Sequence, residues 1–210
     1  MNSFEQGLLR YLSPADLEKI RAVRVGIAGA GGLGSNCAQH LVRCGFRAFT
    51  LVDHDCVDDS NLNRQFFFMD QVGLPKVDML GTNLRRINPD LDLRLEKVRI
   101  DRENMGVLFG DCQVIVEAFD GVASKTMLVE QFMNSEKLLV TASGLGGFGT
   151  TDAIHVRKIR ARFFMVGDFI SEVNEHCPPL SPRTGIVAAK QADVVLRVVT
   201  GREAYDEKTM

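Results

Sequence analysis

Short apolar stretches alternate along the chain with longer stretches in which apolar residues recur at every third or fourth position. A short apolar run bounded by Gly or Asp predicts a buried strand, and the longer spacing predicts a helix with one buried face. Strands are predicted over residues 22–30, 46–53, 92–100, 112–119 and 138–143, and helices over residues 32–45, 75–89, 101–110 and 121–137. Strands that alternate with helices favour a mainly parallel sheet with helices on both faces, so the predicted fold class is α/β.

The two ends of the chain depart from this alternation. The first twenty residues are predicted to be helical, with Ser13 as an N-cap, Pro14 at the first helical position and Asp16 in the first turn. Asp101 is predicted to cap the helix over residues 101–110 in the same way. Beyond residue 143 the pattern predicts two antiparallel strands over 153–159 and 162–167, a loop over 171–185 within a mobile crossover near 168–185, and a final helix over 186–201.

Composition and charge narrow the class of protein. The chain has 210 residues, of which 45% are apolar and 25% charged, as in an ordinary globular protein, and its formal net charge is −2. This charge indicates no general affinity for nucleic acid or for an anionic membrane. The sequence has no apolar run long enough to span a bilayer, and its N-terminus lacks the order of a signal peptide. We therefore expect a cytoplasmic protein without nucleic-acid or membrane partners.

The five cysteines do not predict a disulfide framework or a zinc site. Their number is odd, and no two of them form a Cys-x-x-Cys pair. Four of them lie in or beside apolar runs, where free cysteine is usually a small core residue. Cys177 differs, because it lies in the proline-rich loop before the last helix.

A glycine-rich turn joins the first strand to the helix that follows it. Gly29, Gly31 and Gly34 form a G-x-G-x-x-G pattern, with Gly32 inside it, in the strand–turn–helix context that this pattern requires. Glycines let the backbone approach a phosphate, and the N-terminus of the helix offers free N–H groups. Asp53 ends the second strand, where a carboxylate can accept hydrogen bonds from a ribose. The turn therefore predicts a Rossmann-like nucleotide site.

Charged residues at neighbouring strand ends bear on which nucleotide binds. Arg64 follows the second strand, Lys76 begins the next helix and Asp120 ends the strand over 112–119. A triphosphate needs fixed cations and a metal with carboxylate ligands, whereas a dinucleotide needs little more than the turn. This favours ATP over NAD, and the two tyrosines that could relay a proton in an oxidoreductase, Tyr11 and Tyr205, lie at the ends of the chain.

Four segments resemble the ThiF/MoeB adenylyltransferases, the bacterial branch of the ubiquitin-activating superfamily. They are "GAGGLGS", "VDHDCVDDSNLNRQ", "GLPKVDMLGTNLRRINPD" and "VEAFDGVASK", and the resemblance covers about residues 20–145. The chain is most similar in size to compact ThiF-like members linked with thiamine thiazole synthesis. The resemblance implies one adenylating domain over 1–210, with N-terminal helices over 1–21, a nucleotide-binding core over 22–145, and carrier-binding strands, a crossover loop and a final helix over 146–210.

The resemblance also implies a reaction. Members of the family bind ATP and Mg²⁺ together with the Gly-Gly tail of a ubiquitin-like, ThiS-like sulfur carrier protein, and form an acyl-adenylate and pyrophosphate. By this resemblance Asp53 holds the ribose, Arg64 and Lys76 hold the phosphates, and Asp120 holds the magnesium ion. The remaining predicted nucleotide-binding residues are Asp55, Asn61 and Gln65.

Further expectations concern the partner subunit and the later chemistry. Relatives form homodimers in which an N-terminal arginine reaches the partner's phosphates, and Arg10 is the candidate here. Relatives also use a cysteine in the crossover region to handle the activated carrier, so Cys177, with His176 beside it, is a candidate thiol. Many relatives bind zinc through two Cys-x-x-Cys pairs that this sequence lacks, so no zinc is expected. Gly121 stands where relatives often have Asn.

Other interpretations remain open from the sequence. They are activation of a molybdopterin sulfur carrier in the manner of MoeB, an NAD-dependent oxidoreductase, a non-catalytic scaffold, and adenylation of a small molecule or a tRNA base. Retention of Arg64, Lys76 and Asp120 argues against the scaffold.

Overall fold

A computed structural model of the chain describes residues 1–202. Its centre is one seven-stranded sheet with the order β3-β2-β1-β4-β5-β7-β6. The strands are β1 (Arg24–Ala28), β2 (Ala48–Val52), β3 (Asp92–Glu96), β4 (Val114–Glu117), β5 (Leu138–Ala142), β6 (His155–Arg160) and β7 (Phe163–Gly167). Only the β6–β7 pair is antiparallel, and the other neighbours run parallel. The predicted α/β Rossmann-like class with a C-terminal antiparallel pair is confirmed.

Seven α-helices surround this sheet in the described part of the chain. They are α1 (Ser3–Leu8), α2 (Pro14–Arg21), α3 (Gly32–Arg43), α4 (Lys76–Arg85), α5 (Met105–Leu108), α6 (Val122–Phe132) and α7 (Ser181–Thr200). Ser13 caps α2, with its side chain accepting from the N–H of Asp16, and Pro14 follows at the first helical position, as predicted.

Helices cover both faces of the central strands. Val114 and Val116 of β4 lie in the core that α3 and α7 complete. The residue between them, Ile115, faces the other way and packs with Met105 of α5 and Leu128 of α6. Strands buried on both faces need apolar side chains at every position, which explains the continuous apolar runs in the sequence.

Several predicted elements have other bounds than the sequence indicated. The helices predicted over 75–89 and 121–137 end at Arg85 and Phe132, and the strand predicted over 92–100 ends at Glu96. The helix predicted over 101–110 is limited to Met105–Leu108, because the Asp101 carboxylate accepts from the N–H groups of Glu103 and Asn104 and forms a turn instead of the helix cap. The last helix begins at Ser181 rather than at residue 186, so the loop predicted over 171–185 is shorter. Pro182 fits the first turn of α7, where backbone N–H groups have no partner within the helix.

The antiparallel strand β6 forms an exposed edge of the sheet. All six of its residues are exposed, and Arg157, Lys158 and Arg160 are among them. Charged side chains on an edge strand oppose pairing with the edge of another sheet. Among residues 1–202, no helix has both the length and the apolar character needed to cross a membrane. Residues 203–210, which include Tyr205 and the end of the predicted domain, lie outside the described residues.

Candidate nucleotide-binding site

The carboxyl ends of the parallel strands meet at one edge of the sheet. From β1 the chain proceeds to β2 and β3 on one side, whereas β4 and β5 lie on the other side. Such a reversal of strand order leaves a crevice between the two central strands, and open α/β sheets bind ligands there. The glycine turn follows β1, Asp53 follows β2, and Asp120 lies three residues beyond the end of β4.

Contacts that only glycine allows define the turn after β1. Gly29 has a φ of +99°, and a Cβ added there would lie 2.8 Å from the carbonyl oxygen of Ala118. A Cβ on Gly34, in the first turn of α3, would overlap the carbonyl oxygen of Gly29. Gly31 is the N-cap of α3 and has no side chain to accept from the helix. The N–H groups of the first turn of α3 are therefore left available to an anion.

Asp53 is fixed beside this turn. Its carboxylate accepts from the N–H of Ala30 at 2.6 Å through one oxygen and from the N–H of Asp55 at 2.8 Å through the other. The residue is buried. Each carboxylate oxygen has a second lone pair, so Asp53 can still accept from the hydroxyl groups of a ribose.

Lys76 lies on the same side of the turn, at the first position of α4. It is buried, and its ammonium group forms an ion pair of 3.0 Å with the exposed carboxylate of Asp55. The other oxygen of Asp55 lies 3.4 Å from the imidazole of His54. A phosphate that binds Lys76 therefore has to replace Asp55 or share the ammonium group with it.

Arg64 is the second cation that the structure brings to the turn. A Cβ atom added to Gly32 would lie 3.4 Å from the Cγ atom of Arg64. Its guanidinium donates to the carbonyl oxygen of Ser60 at 3.2 Å and to the side chain of Asn63 at 2.7 Å. Within residues 1–202 no carboxylate lies within ion-pair distance of it. Its positive charge is thus not neutralised by the described part of the protein.

The two predicted amide residues have different surroundings. Gln65 is buried beside the turn, its Nε2 atom 3.8 Å from the position of a Cβ on Gly31. Its Oε1 atom has no hydrogen-bond partner among the described residues. Asn61 instead closes a short 3-10 turn, because its side chain accepts from the N–H of Asp58 at 3.3 Å. The Gln65 oxygen is therefore free to accept a hydrogen bond from a ligand, whereas Asn61 makes a local structural contact.

Asp120 is exposed and has no hydrogen bond or ion pair with the described part of the chain. Three consecutive residues, Asp53, His54 and Asp55, form a set of possible metal ligands, but Asp120 is not part of it. A single carboxylate is nevertheless a usual protein contribution to Mg²⁺ bound by nucleotide phosphates, which supply further oxygen ligands.

Arg10 does not lie at this edge. It is exposed in the turn between α1 and α2. These helices pack at the C-terminal end of α3, where a Cβ on Gly45 would meet side chains of Leu8 and Leu17 at 3.0 and 2.9 Å. The opposite end of α3 carries the glycine turn, so Arg10 does not belong to the site of its own chain.

Cys177 lies at the carboxyl edge, on the segment that links β7 to α7. Its Sγ atom is 3.0 and 2.9 Å from the positions of Cβ atoms on Gly146 and Gly147. The N–H of Gly147 donates to the carbonyl oxygen of Pro178 at 3.0 Å, which holds the two segments together. The thiol is half-buried, and the neighbouring His176 is exposed. The crossover thus places a thiol next to the segment that follows β5.

An ion pair that was not predicted from the sequence stabilises the same crossover between β7 and α7. Arg183, at the start of α7, is 2% exposed and pairs with Asp168. It also donates to the carbonyl oxygen of Gly149 at 3.1 Å and to the hydroxyl of Thr150 at 3.0 Å. Burial opposes ionisation of Asp168, but hydrogen bonds from Ile170, Ser171 and Arg183 outweigh it and lower the pKa of the carboxyl from 3.8 to about 2.

A second missed pair lies beside Asp120. Glu117, the last residue of β4, is fully buried, and Lys125 of α6 reaches its carboxylate at 2.9 Å. The sequence signal was a glutamate inside the apolar run "VIVEAF". A buried charge requires a partner, but the sequence alone did not indicate which lysine supplies it.

A groove of about 920 Å³ lies away from this edge. Leu12, Phe164 and Arg197 are among the residues that line it. Phe164 is near the amino end of β7, so the groove lies at the opposite edge of the sheet from the glycine turn. It does not belong to the nucleotide site.

Comparison with known proteins gives the following matches. The sequence profile of the ThiF family matches residues 5–210. The adenylyltransferase and sulfurtransferase UBA4 of Eremothecium gossypii is 36% identical over 132 residues, which are 62% of this chain and 30% of that protein. The SAMP-activating enzyme E1 of Haloferax volcanii is 32% identical over 122 residues, 58% of this chain and 45% of that protein. The chain thus matches less than half the length of these two relatives.

A solved structure has the same fold. It is that of the E. coli tRNA N6-threonylcarbamoyladenosine dehydratase TcdA in complex with ATP, with a TM-score of 0.85, 22% sequence identity and coverage of 93% of each chain. At this level of identity the likeness establishes the shared architecture and leaves the chemistry to be argued from the residues.

The turn predicts the effect of replacing Gly34. We expect Gly34→Ala to weaken nucleotide binding more than 10-fold and to destabilise the fold, because the added methyl overlaps the carbonyl oxygen of Gly29 and separates α3 from β1. Binding of fluorescent ATP and thermal unfolding measure the two effects. Gly73→Ala is a control at another glycine with positive φ, of +85°, where nothing surrounds the added methyl; equal loss of binding in both variants would contradict the prediction.

The Asp168–Arg183 pair predicts a pH dependence of stability. Because the folded-state pKa of Asp168 is lowered from 3.8 to about 2, the pair's contribution is complete above about pH 4 and is lost as the pH falls towards 2. The contribution of the pair to the free energy of unfolding is at most about 2 kcal/mol. Urea unfolding should show Asp168→Asn less stable than the wild type at pH 6, with a smaller difference at pH 2.5. Asp152→Asn, at an exposed aspartate, is the control; a difference that is independent of pH would refute the assignment.

Proposed function

The chain belongs to the ThiF family, and from this premise we propose that it is an adenylyltransferase that activates the C-terminal carboxylate of a ubiquitin-like carrier protein. ATP and the carboxylate of a Gly-Gly tail give an acyl-adenylate and pyrophosphate. The observation that carries the proposal is the placement of Arg64, with no carboxylate partner in the described residues, beside the open N-terminus of α3.

The charges around the turn support a triphosphate rather than a dinucleotide. The N-terminus of α3 provides a partial positive charge, and Arg64 provides a full one with no carboxylate partner in the described residues. Lys76 provides a second cation, which is paired with Asp55 in the free protein. A pyrophosphate bridge in NAD needs fewer cations than the four negative charges of ATP. The buried, unpartnered oxygen of Gln65 is an acceptor, so it suits a hydroxyl or amino group of the nucleotide and not a phosphate oxygen.

Each residue then has a defined task. Asp53 accepts from the ribose hydroxyls, Arg64 and Lys76 bind phosphate oxygens, and Asp120 contributes a carboxylate oxygen to Mg²⁺. When bound, the metal ion neutralises part of the phosphate charge and polarises the α-phosphoryl group. Asp55, which pairs with Lys76 at 3.0 Å, either gives up this contact to a phosphate or shares the ammonium group with it.

The reaction needs no nucleophile from the protein. The tail carboxylate is ionised near pH 7 and attacks the α-phosphorus directly. A new bond forms between the carboxylate oxygen and phosphorus while the bond to pyrophosphate breaks, and the pyrophosphate leaves with the electron pair. Arg64 and Lys76 stabilise the charge that develops on the phosphate oxygens, so catalysis consists of positioning and electrostatic stabilisation.

The half-buried thiol of Cys177 supports a second step. As a thiolate it attacks the acyl carbon of the adenylate, forms a thioester with the carrier and releases AMP. UBA4, one of the relatives, is named a sulfurtransferase as well as an adenylyltransferase. We therefore propose transfer of sulfur or of the carrier itself downstream of adenylation. The thiamine pathway expected from the resemblance rests on chain size alone, and neither relative nor solved structure compared above carries that name.

The position of Arg10 supports a homodimer. An arginine at the far end of α3 from its own site can assist catalysis only across an interface. We propose that it contacts the phosphates bound by the partner subunit.

The proposal predicts exchange of labelled pyrophosphate into ATP. The wild type should catalyse this exchange with Mg²⁺ and a Gly-Gly-tailed carrier, and Asp120→Ala should lower its rate at least 100-fold because the metal loses its protein ligand. Glu136→Ala removes an exposed carboxylate just before β5, at the other edge of the sheet, and should exchange normally. A normal rate in Asp120→Ala would disprove the metal role, and tight NADH binding without any exchange would favour an oxidoreductase.

The role of Cys177 predicts a separation of the two steps. Cys177→Ala should exchange pyrophosphate at the wild-type rate but form no covalent complex with the carrier that a thiol reagent can cleave. Cys56→Ala removes the exposed cysteine of the described chain and should retain both activities. Gel analysis with and without reductant shows the complex; its persistence in Cys177→Ala would rule out the thioester.

A further inference from the structure

The fully buried carboxylate of Glu117 forms a junction at the end of β4. It accepts from the ammonium group of Lys125 at 2.9 and 3.0 Å, one contact for each oxygen. One oxygen also accepts from the N–H of Phe119 at 2.7 Å, and the other from the N–H of Ala142 at 3.4 Å. Glu117 thus connects β4 with the end of β5, with α6 and with the segment that carries Asp120.

Lys125 has no hydrogen left for a phosphate. Besides the two oxygens of Glu117, it donates to the carbonyl oxygen of Ala142 at 3.2 Å. An ammonium group has three N–H bonds, and these three acceptors use them all. The lysine is therefore suited to holding protein segments together rather than to binding the nucleotide, although it lies in the second turn of a helix at the ligand edge.

The segment from Ala118 to Asp120 is attached on two sides. On one side the N–H of Ala118 donates to the carbonyl oxygen of Ala28 at 2.9 Å, and the Ala118 carbonyl lies 2.8 Å from the position of a Cβ on Gly29. On the other side the N–H of Phe119 is held by Glu117. Asp120 itself makes no hydrogen bond or ion pair with the described residues, so the two attachments of its segment fix its position.

We propose that the Glu117–Lys125 pair positions Asp120 against the glycine turn and thereby determines how tightly the protein holds a divalent cation bound to a nucleotide. This inference rests on the proposed function. Glu117 and Lys125 act through Asp120 and touch neither phosphate nor metal. Residues that orient a metal ligand typically change metal affinity 10- to 100-fold when they are replaced.

The test removes both charges together. A single replacement leaves a buried charge without a partner and is expected to destabilise the fold. The double variant Glu117→Leu, Lys125→Met keeps similar side-chain volumes and leaves no unpaired charge. It does leave the N–H groups of Phe119 and Ala142 without their acceptor, so circular dichroism has to show that it is folded. If it does not fold, Glu117→Gln, Lys125→Met is the second variant, because Gln keeps one acceptor oxygen while the ion pair is still removed. Mn²⁺ binding to the complex with a non-hydrolysable ATP analogue, measured by electron paramagnetic resonance, should weaken about 10-fold.

The exchange of pyrophosphate into ATP supplies a second measurement. The Mg²⁺ concentration at half-maximal pyrophosphate exchange should rise about 10-fold in the double variant, while the rate at saturating Mg²⁺ changes much less. The matched control is the exposed pair Arg102–Glu130, whose glutamate lies on the same helix α6. The variant Arg102→Met, Glu130→Leu should keep the wild-type Mn²⁺ affinity.

The outcomes separate the two proposals. A folded double variant with wild-type Mn²⁺ affinity would overturn the positioning role while leaving the adenylyltransferase intact. If the wild type itself exchanges no pyrophosphate, the proposed function fails, and weaker Mn²⁺ binding in the double variant would then still support the positioning of Asp120. Equal weakening in the Arg102–Glu130 control would overturn the specific role of the buried pair.

Discussion

The close approach of two glycines governs the site. Only because Gly34 has no side chain can the first turn of α3 lie against the carbonyl oxygen of Gly29. That contact directs the N-terminus of α3 across the end of β1. Asp53, the first residue after β2, completes the turn by accepting from the N–H of Ala30. The crevice and the free N–H groups follow from this one arrangement of backbone, and Arg64 lies beside Gly32 of the same turn.

The helix α7 gives the site its second support. Its first turn places Thr184 against Gly32 of the glycine turn and Arg183 in the junction with Asp168 and Thr150. Farther along, the side chain of Gln191 donates to the carbonyl oxygen of Glu117 at 3.1 Å. One helix therefore contacts the glycine turn, the crossover that carries Cys177 and the end of β4, which makes the relative positions of these three parts mutually dependent.

The α/β fold class and the glycine turn could be predicted from the sequence, because both are encoded locally, in apolar runs and in spacings of a few residues. The start of α7 was predicted too late, because Pro182 and Gly185 usually interrupt helices, and nothing local shows that Pro182 falls in the first turn. The sequence predicted Asp101 as the cap of a helix, but its carboxylate accepts from the N–H groups of a turn instead. Arg183 and Glu117 escaped notice for another reason: their partners are 15 and eight residues away, and burial of a charge depends on packing that no spacing reveals.

The ion pair between Lys76 and Asp55 has a consequence for ligand discrimination. In the free protein Asp55 accepts one of the three N–H groups of the Lys76 ammonium and neutralises most of its charge. An anion that binds there has to share the lysine with this carboxylate or displace it, and a free phosphate ion makes few other contacts to offset that cost. Under the proposed function, a nucleotide would offset the cost through its contacts with the glycine turn, Arg64 and Asp53. Asp55 would then favour a large ligand with several contacts over a small anion.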